Sequence, residues 1–287
     1  MDAPSLHFVP AGDLKLAVWE WPGEGPTLFF AHATGFHGRS WDHIVGRFPG
    51  RRALSIEFRG HGRSTIPAPP IPWPDFAQDV LAVARHFALR DAIGIGHSMG
   101  GHSLVSATIL QPEIFAALVL VDPVIFPPEY YRAPPPDASY IARRRNRWAS
   151  PQEMYQRFSA RSPFAAWRPE ALRNYCDYAL LSDGGSFVLA CPPGVEAAIY
   201  GRCNAPENNL YAGIPGVTQP VTILRAGTTP QTAALDLSAS PTGPDLAACF
   251  QQGRDIFLPG HNHYIPMEAP DLVAAEIAHF WSNKSGR

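Results

Sequence analysis

Short apolar runs alternate with helix-like stretches along the first part of the chain, and this alternation restricts the possible folds more than any other feature. Runs that are apolar throughout are expected where helices cover both faces of a parallel sheet. The pattern predicts an antiparallel edge strand over residues 14–21, further strands over 27–33, 53–58, 92–96 and 117–121, and helices over 40–48, 73–89 and 99–110. We therefore predict an α/β fold with a mostly parallel central sheet flanked by helices.

This alternation stops after Asp122. Residues 124–219 are rich in proline, arginine and aromatic residues, and their predicted helices (140–148, 151–159 and 169–181) have no predicted strand between them. The strand pattern returns over 220–226 and 255–258, and helical spacing predicts a last helix over 270–281. We therefore expect one core domain, residues 1–123 and 220–287, with a helical cap of residues 124–219 inserted before the penultimate core strand.

The charge and cysteine content argue against several classes of function. A formal net charge of -2 gives no electrostatic reason to expect nucleic acid or an anionic membrane as a partner. The amino terminus has no basic segment followed by a long apolar run, and no stretch has about 18 consecutive apolar residues, so we expect a cytoplasmic protein that binds no membrane. The four cysteines show no metal-ligand spacing and are expected to be reduced thiols. No metal or cofactor is expected. The expected partner is a small-molecule substrate, and the oligomeric state is left open, with a homodimer as one option.

The segment Gly96-His97-Ser98-Met99-Gly100 fits the G-x-S-x-G pattern of a nucleophilic serine. Such a serine lies on a sharp turn from strand to helix, where side chains two residues to either side would collide, so glycine is needed at both positions. An apolar strand precedes the motif, and an uncharged helix of small and apolar residues follows it. We therefore predict that Ser98 is the nucleophile and that His97 is turned away from its hydroxyl. The alternative is a glycine- and serine-containing turn without chemistry.

An attacking serine requires two hydrogen-bond donors for the oxyanion that it generates. The backbone N–H of Met99, at the start of the helix, is the first predicted donor. The second is expected from the loop after strand 27–33, where Thr34 is the best candidate and Gly35 and Phe36 are the alternatives.

Several segments together resemble the α/β-hydrolase superfamily, in its cap-bearing, esterase-like branch of serine hydrolases. Residues 32–36 resemble the His-Gly oxyanion loop of that family, with Ala33 in place of the usual glycine. Residues 58–64 resemble its D-x-R-G-x-G-x-S turn, with Glu57 in place of the usual aspartate. Residues 120–123 and 263–268 also match. The resemblance implies an α/β-hydrolase fold and acyl-serine chemistry that needs no cofactor or metal.

The same resemblance implies a base and an acid. His263 is the best match to the base, because residues 264–268 follow it as in the family, and His261 is its competitor. The family's acid usually follows the strand represented here by 221–226, but residues 227–230 (GTTP) contain no carboxylate. The family's alternative position, at the end of the preceding strand, is occupied by Asp122. Asp236 and Asp245 are the remaining candidates for the acid.

The cap is expected to line the substrate pocket. Its many aromatic residues favour a small, largely apolar substrate, and the residues predicted to contact it are Phe36, Phe126, Trp148 and Trp167. Four arginines, at positions 143, 144, 145 and 147, form the only run of charge in the cap. The run is interpreted as a solvated surface, with the alternative that one arginine recognises a substrate carboxylate.

These residues predict a serine hydrolase that cleaves a carboxylic ester or lactone through an acyl-serine intermediate. Alternatives with the same fold are a C–C bond hydrolase, an amidase and a thioesterase. A different class, a non-catalytic ligand-binding protein, is favoured by the missing acid after strand 221–226 and opposed by the strained serine, which a binding protein does not need.

Overall fold

The structure of the protein is a computed structural model that describes residues 3–227 and 236–282. Two sheets are present in these residues. Their strands are β1 (Ser5–Ala11), β2 (Leu14–Trp21), β3 (Glu24–Ala31), β4 (Arg51–Ile56), β5 (Ala92–His97), β6 (Phe115–Val121), β7 (Arg147–Trp148), β8 (Leu180–Asp183), β9 (Ser186–Leu189), β10 (Val221–Ala226) and β11 (Gly253–Leu258). The α-helices are α1 (Asp42–Val45), α2 (Pro74–His86), α3 (Met99–Leu110), α4 (Ser139–Ala142), α5 (Pro151–Ser159), α6 (Pro169–Tyr178), α7 (Pro193–Tyr200), α8 (Ile265–Glu268) and α9 (Pro270–Ser282).

The larger sheet has eight strands in the order β1-β2-β4-β3-β5-β6-β10-β11. Strand β2 pairs antiparallel with β1 and β4, and every pair from β4 to β11 is parallel. The central strands β5 and β6 are buried along almost their whole length, as expected for strands covered on both faces. The predicted α/β fold with a mostly parallel sheet is confirmed.

Helices cover the sheet on its two faces, and each face has its own apolar core. Helices α2 and α3 pack on one face, where their core residues join Phe29 of β3. Helices α1 and α9 contribute to the other core, together with Leu28 and Phe30. Consecutive residues of β3 therefore enter different cores, which explains why this strand reads as one continuous apolar run.

Local differences from the predicted elements have simple causes. Strand β1 was not predicted, because its sequence contains histidine and proline and is only partly buried at the sheet edge. The helix predicted over 40–48 is a 3-10 turn, Gly38–Trp41, followed by the short α1. The other core elements lie within a few residues of their predicted positions.

The segment between β6 and β10 contains α4 to α7 and a three-stranded antiparallel sheet in the order β7-β9-β8. The prediction that no strands occur here was wrong. The helix predicted over 140–148 ends at Ala142 and gives way to β7, and the helix predicted over 169–181 ends at Tyr178, before β8. Strands β8 and β9 form a hairpin across Gly184 and Gly185, whose φ angles of 53° and 84° suit the tight turn. Nowhere in residues 3–227 and 236–282 does a helix combine the length and apolar character needed to span a bilayer.

Candidate active site

Ser98 lies between the end of β5 and the first residue of α3, with φ 58° and ψ −120°. The two flanking glycines allow this turn. A Cβ added to Gly96 would lie 2.7 Å from Gly101 Cα, and one added to Gly100 would lie 2.2 Å from the Ala31 carbonyl oxygen. Glycine is therefore required at both positions, because backbone atoms occupy the space of a side chain.

Ser98, His263 and Asp122 form a continuous hydrogen-bonded array. The Ser98 hydroxyl lies 2.9 Å from His263 Nε2, and the Nδ1–H of the same ring donates to Asp122 Oδ2 over 2.7 Å. Strand register explains part of this arrangement. His97 pairs with Val121 in adjacent parallel strands, so Ser98 and Asp122 leave the sheet at the same level and the same edge. His263 comes from the loop between β11 and α8, where its N–H donates to the Ser238 carbonyl oxygen.

The Asp122 carboxylate is fully buried and accepts hydrogen bonds on both oxygens. Oδ2 faces His263, while Oδ1 accepts from the backbone N–H of Ala226 and the hydroxyls of Ser240 and Thr242, at 3.0, 2.6 and 3.1 Å. Burial alone would raise the pKa of Asp122, but the hydrogen bonds from His263, Ser240 and Ala226 hold the pKa below its usual value. The group is therefore an anion beside the imidazole.

The other candidates for acid and base lie elsewhere. Asp236 Oδ1 accepts hydrogen bonds from the N–H and hydroxyl of Ser238, and Asp245 precedes a 3-10 turn; within the described residues neither contacts His263. His261 Nδ1 lies 3.1 Å from a carboxylate oxygen of Glu268. Residues 228–230, part of the position where the family usually carries its acid, lie outside the described residues.

His97 has a role that the sequence did not indicate. Its Nε2–H donates to the backbone carbonyl oxygen of His263 over 2.9 Å, so it is turned away from the Ser98 hydroxyl and holds the backbone of His263 in place. Burial lowers the pKa of His97 to about 3, so the ring is neutral. The pattern G-x-S-x-G leaves this position unspecified, and no sequence signal could have assigned the contact.

The backbone N–H groups of Thr34 and Met99, the two predicted oxyanion donors, have no hydrogen-bond acceptor among the described residues. In the loop after β3 (residues 32–37, the β3 loop), the Gly35 N–H donates to His61 Nε2 and the Phe36 N–H donates to the Ala33 carbonyl oxygen. Of the three amides considered from sequence, only that of Thr34 has no acceptor in the described part of the chain. The Thr34 hydroxyl also contacts Met99 Sδ at 3.3 Å. Met99 is the first residue of α3, and its N–H therefore has no partner within the helix.

A cleft of about 360 Å³ adjoins neighbours of this array: its lining includes Ser238, whose carbonyl oxygen accepts the His263 N–H, but not Ser98, His263 or Asp122. Its walls include Thr34 and Phe36 of the β3 loop, Tyr264, which follows His263, and cap residues such as Arg144, Arg161 and Tyr200. The cleft is thus shared between the core and the inserted segment.

Of the predicted substrate-contacting residues, Phe36 lines the cleft. Trp167 packs behind the lining, with ring centroids 5.8 Å from Phe36 and 5.3 Å from Tyr264. Trp148 is buried against Phe158 within the cap. Phe126 lies outside the cleft, where it stacks on Tyr130 at 5.8 Å and packs against the core around α3. Neither the half-buried Phe126 nor the buried Trp148 lines the cleft, and their contact with a substrate stays a prediction.

Only one arginine of the 143–147 run lines the cleft. Arg144 Nη1 lies 2.6 and 2.7 Å from the two carboxylate oxygens of Glu196, which is buried beneath Gly35. A Cβ on Gly35 would lie 2.6 Å from Glu196 Oε1, so the ion pair directly supports the β3 loop. Arg161 lies at the exposed rim of the cleft and makes no ion pair with any described residue. Sequence reasoning did not single out Arg161 or Glu196.

Comparison with known proteins identifies relatives that share the overall fold. Residues 28–276 match the model of the alpha/beta hydrolase family. The 2-(acetamidomethylene)succinate hydrolase of Mesorhizobium japonicum is 26% identical over 291 residues, which cover 97% of each chain. Two solved structures show the same fold. An E-2-(acetamidomethylene)succinate hydrolase has a TM-score of 0.77 at 23% identity and covers 97% of this chain and 99% of its own. The peroxisomal alpha-beta-hydrolase Lpx1 of Saccharomyces cerevisiae has a TM-score of 0.77 at 19% identity and covers 99% and 90%.

Proposed function

The chain belongs to the alpha/beta hydrolase family, and from this premise we propose that it is a serine hydrolase that cleaves small esters or lactones through an acyl-serine intermediate. The observation that carries the proposal is the hydrogen-bonded array from Ser98 through His263 to Asp122. The backbone N–H groups of Thr34 and Met99, which have no acceptor among the described residues, complete the proposed site. Its homologues support hydrolase activity in general, and the proposal adds the nucleophile and the bond type.

Each group has a defined task in this mechanism. Ser98 Oγ attacks the substrate carbonyl carbon while His263 Nε2 takes the hydroxyl proton, and Asp122 stabilises the resulting imidazolium. The N–H groups of Thr34 and Met99 donate to the oxyanion. When the tetrahedral intermediate collapses, His263 returns its proton to the leaving group. Water, activated by the same ring, then hydrolyses the acyl-serine and regenerates the enzyme.

Amide cleavage is the second candidate for the bond type. The Mesorhizobium relative is named for 2-(acetamidomethylene)succinate, a dicarboxylate that carries an acetamido group. The same triad serves amide and ester substrates, because His263 can protonate either an alcohol or an amine as it leaves. The bond type therefore depends on how the cleft holds the substrate and must be measured.

We further propose that the substrate has a small apolar or aromatic body and a carboxylate. Phe36, Phe164 and Tyr264 supply aromatic surface to the cleft, and its charged lining residues are Arg144, which pairs with Glu196, together with Arg161 and Asp236. Arg144 is already engaged, because it pairs with Glu196 through Nη1 and also hydrogen-bonds Tyr175. Arg161 is the better candidate to meet an incoming carboxylate, because it has no ion-pair partner among the described residues.

The mechanism is tested with a fluorophosphonate probe and with p-nitrophenyl acetate. We expect Ser98→Ala to abolish labelling and turnover, and His263→Ala to abolish turnover. Absence of labelling and turnover in the wild-type protein, under conditions where it is folded, would instead support a ligand-binding protein. Comparison of p-nitrophenyl acetate with p-nitroacetanilide, and with a ring-fission diketone, separates ester, amide and C–C bond cleavage.

Substrate charge is tested with p-nitrophenyl butyrate and p-nitrophenyl hydrogen succinate, whose acyl chains differ mainly in the carboxylate. We expect Arg161→Gln to lower kcat/KM for the hydrogen succinate roughly fivefold, the factor for about 1 kcal/mol, and to leave the butyrate unaffected. Arg143→Gln is the matched control, because Arg143 is exposed and does not line the cleft. Equal effects of Arg161→Gln on both esters would exclude this recognition.

A further inference from the structure

Two buried imidazoles, His32 and His61, connect the β3 loop to the turn after β4 (residues 57–64, the β4 turn). His61 Nε2 accepts the Gly35 N–H at 3.0 Å, and its Nδ1–H donates to the Arg59 carbonyl oxygen at 3.0 Å. His32 Nδ1–H donates to the Ala33 carbonyl oxygen at 2.8 Å, while its Nε2 accepts the Phe58 N–H at 3.1 Å. The ring centroids lie 5.0 Å apart. Each loop therefore binds the other through one histidine.

These contacts fix the tautomer of both rings. A carbonyl oxygen can only accept and a backbone N–H can only donate, so Nδ1 carries the proton and Nε2 is bare in each ring. A protonated ring could not accept the amide hydrogen. Burial lowers the pKa of His61 to about 4, and burial together with the nearby His61 lowers the pKa of His32 well below its usual value. Both rings are therefore neutral acceptors at neutral pH.

The contact between His61 and Gly35 sets the orientation of one peptide group in the β3 loop. Gly35 has φ 78°, and its N–H belongs to the planar peptide that joins it to Thr34. Holding this plane toward His61 limits the rotations of Thr34, whose own N–H has no acceptor among the described residues and whose hydroxyl contacts Met99 Sδ. The Thr34 N–H itself belongs to the preceding peptide, whose Ala33 carbonyl oxygen accepts hydrogen bonds from His32 Nδ1–H and the Phe36 N–H. The position of the Thr34 amide thus depends on contacts to both of its flanking peptides, one of which is to His61 on another loop.

The β4 turn is a rigid support for this acceptor. The Arg59 guanidinium pairs with Asp79, which is fully buried on α2, at 2.7 Å, and the Arg59 N–H donates to the same carboxylate at 3.2 Å. The carbonyl oxygen of Arg59 in turn accepts the hydrogen bond from His61 Nδ1–H. A chain of contacts therefore runs from α2 through Arg59 and His61 to Gly35.

We infer that His61 is a positioning residue for the oxyanion hole: its Nε2 holds the Gly35 amide, and through it the Thr34 N–H, in the geometry needed to stabilise the oxyanion. The inference rests on the proposed acyl-serine mechanism and goes beyond it, because His61 touches neither the substrate nor the reacting atoms. His32 acts in parallel by fixing the distance between the two loops.

Two substitutions separate the two contacts of His61. The side-chain oxygen of glutamine can reach the position of Nε2, so His61→Gln retains an acceptor for Gly35. Asparagine reaches only the position of Nδ1, so His61→Asn retains the donor to Arg59 and loses the acceptor. We expect His61→Asn to lower kcat for p-nitrophenyl acetate by about tenfold to 100-fold, part of the loss seen on removing an oxyanion donor, with little change in KM. His61→Gln should recover most of this loss.

A tetrahedral inhibitor gives a readout that a purely structural role would not change. Phenylboronic acid, which forms a tetrahedral adduct with the serine, should bind His61→Asn more weakly by the same factor as the loss in kcat/KM. Thermal unfolding of both variants controls for folding. Equal kcat and equal inhibition in His61→Asn and His61→Gln would overturn the inference.

One further measurement distinguishes failure of this inference from failure of the proposed function. In protein labelled with nitrogen-15 in histidine, the His61 shifts report directly whether Nδ1 or Nε2 carries the proton, whatever the activity. A proton on Nε2 would overturn the positioning role. An inactive wild-type enzyme that fails to react with fluorophosphonate, with the proton of His61 on Nδ1, would overturn the proposed mechanism and with it the catalytic role of His61, but not the contact between His61 and Gly35.

Discussion

Replacement of Asp122 by asparagine changes the hydrogen-bonding capacity of one atom while it preserves the shape of the side chain. Two donors, the Ala226 N–H and the Ser240 hydroxyl, point at Oδ1, and the Thr242 hydroxyl lies within reach of both Oδ1 and the Pro123 carbonyl oxygen. They require an acceptor, so the amide oxygen of the new side chain would take this position and its NH2 group would face His263. An NH2 group only donates, so His263 Nδ1 would become an acceptor and the ring proton would move to Nε2.

That tautomer cannot catalyse the reaction, because Nε2 must accept the Ser98 proton and lies 2.9 Å from the Ser98 hydroxyl. The same substitution in a serine-protease triad lowers kcat about 10⁴-fold, which corresponds to about 5 kcal/mol of transition-state stabilisation, and we expect a loss of this size here. Asp122 has φ 45°, a conformation that asparagine tolerates well, so the variant should fold. The assay is kcat for p-nitrophenyl acetate at neutral pH, with thermal unfolding to confirm the fold.

A folded Asp122→Asn variant that retains kcat within about tenfold of wild type would contradict this role for Asp122, since a tenfold loss corresponds to only about 1.4 kcal/mol. Asp245→Asn serves as a control, because Asp245 lies outside the array and the cleft. A loss of about 10⁴-fold in Asp236→Asn, with Asp122→Asn active, would transfer the role of the acid to Asp236.

Two further predictions concern stability. Burial lowers the pKa of His102 to about 4. As the pH falls from about 7.5 to 5, this histidine therefore binds a proton in the unfolded chain but not in the folded protein. Through this group alone, the free energy of unfolding should fall by about 2 kcal/mol over that pH range. His102→Gln can still donate to the Asn208 carbonyl oxygen, and it should reduce the pH-dependent loss of unfolding free energy, measured by urea denaturation, by that amount. An unchanged pH dependence would contradict this role of His102. Asp79→Asn should lower the unfolding free energy by about 3 kcal/mol because it leaves the largely buried Arg59 without its main partner. Asp75→Asn, which removes the more exposed partner of the same arginine, should cost less than about 1 kcal/mol, and equal losses would contradict this account.

The core of the fold could be predicted from sequence because its signals are local. Strands β3, β5 and β6 are short apolar runs, and helices α2 and α3, which precede and follow β5, have clear length and spacing. The nucleophile elbow was equally local, since Gly96 and Gly100 are required by backbone contacts within a few residues of Ser98 or with the adjacent β3. Such features depend on chain geometry that a short pattern describes fully.

The inserted segment shows where this reasoning failed. The helical spacing of residues 169–181 extended past Tyr178, although Gly184 and Gly185 between two short apolar runs are typical of a hairpin. The contacts of Phe126 and Arg144 could not be predicted from sequence for a different reason. Whether an aromatic or charged side chain in a cap meets the cleft depends on packing against residues distant in sequence, such as Glu196, and no local pattern contains that information.

The absence of a carboxylate after β10 is compensated within the same edge of the sheet. Strands β6 and β10 are adjacent, about 4.8 Å apart, so an acid that follows β6 instead of β10 moves by only one strand. The segment that would normally carry the acid then supplies donors to it: the Ala226 N–H at the end of β10 and the hydroxyls of Ser240 and Thr242 all bind Oδ1. These donors stabilise the anion and orient Oδ2 toward His263. The acid at the end of β6 and the donors contributed by Ala226, Ser240 and Thr242 therefore form one arrangement.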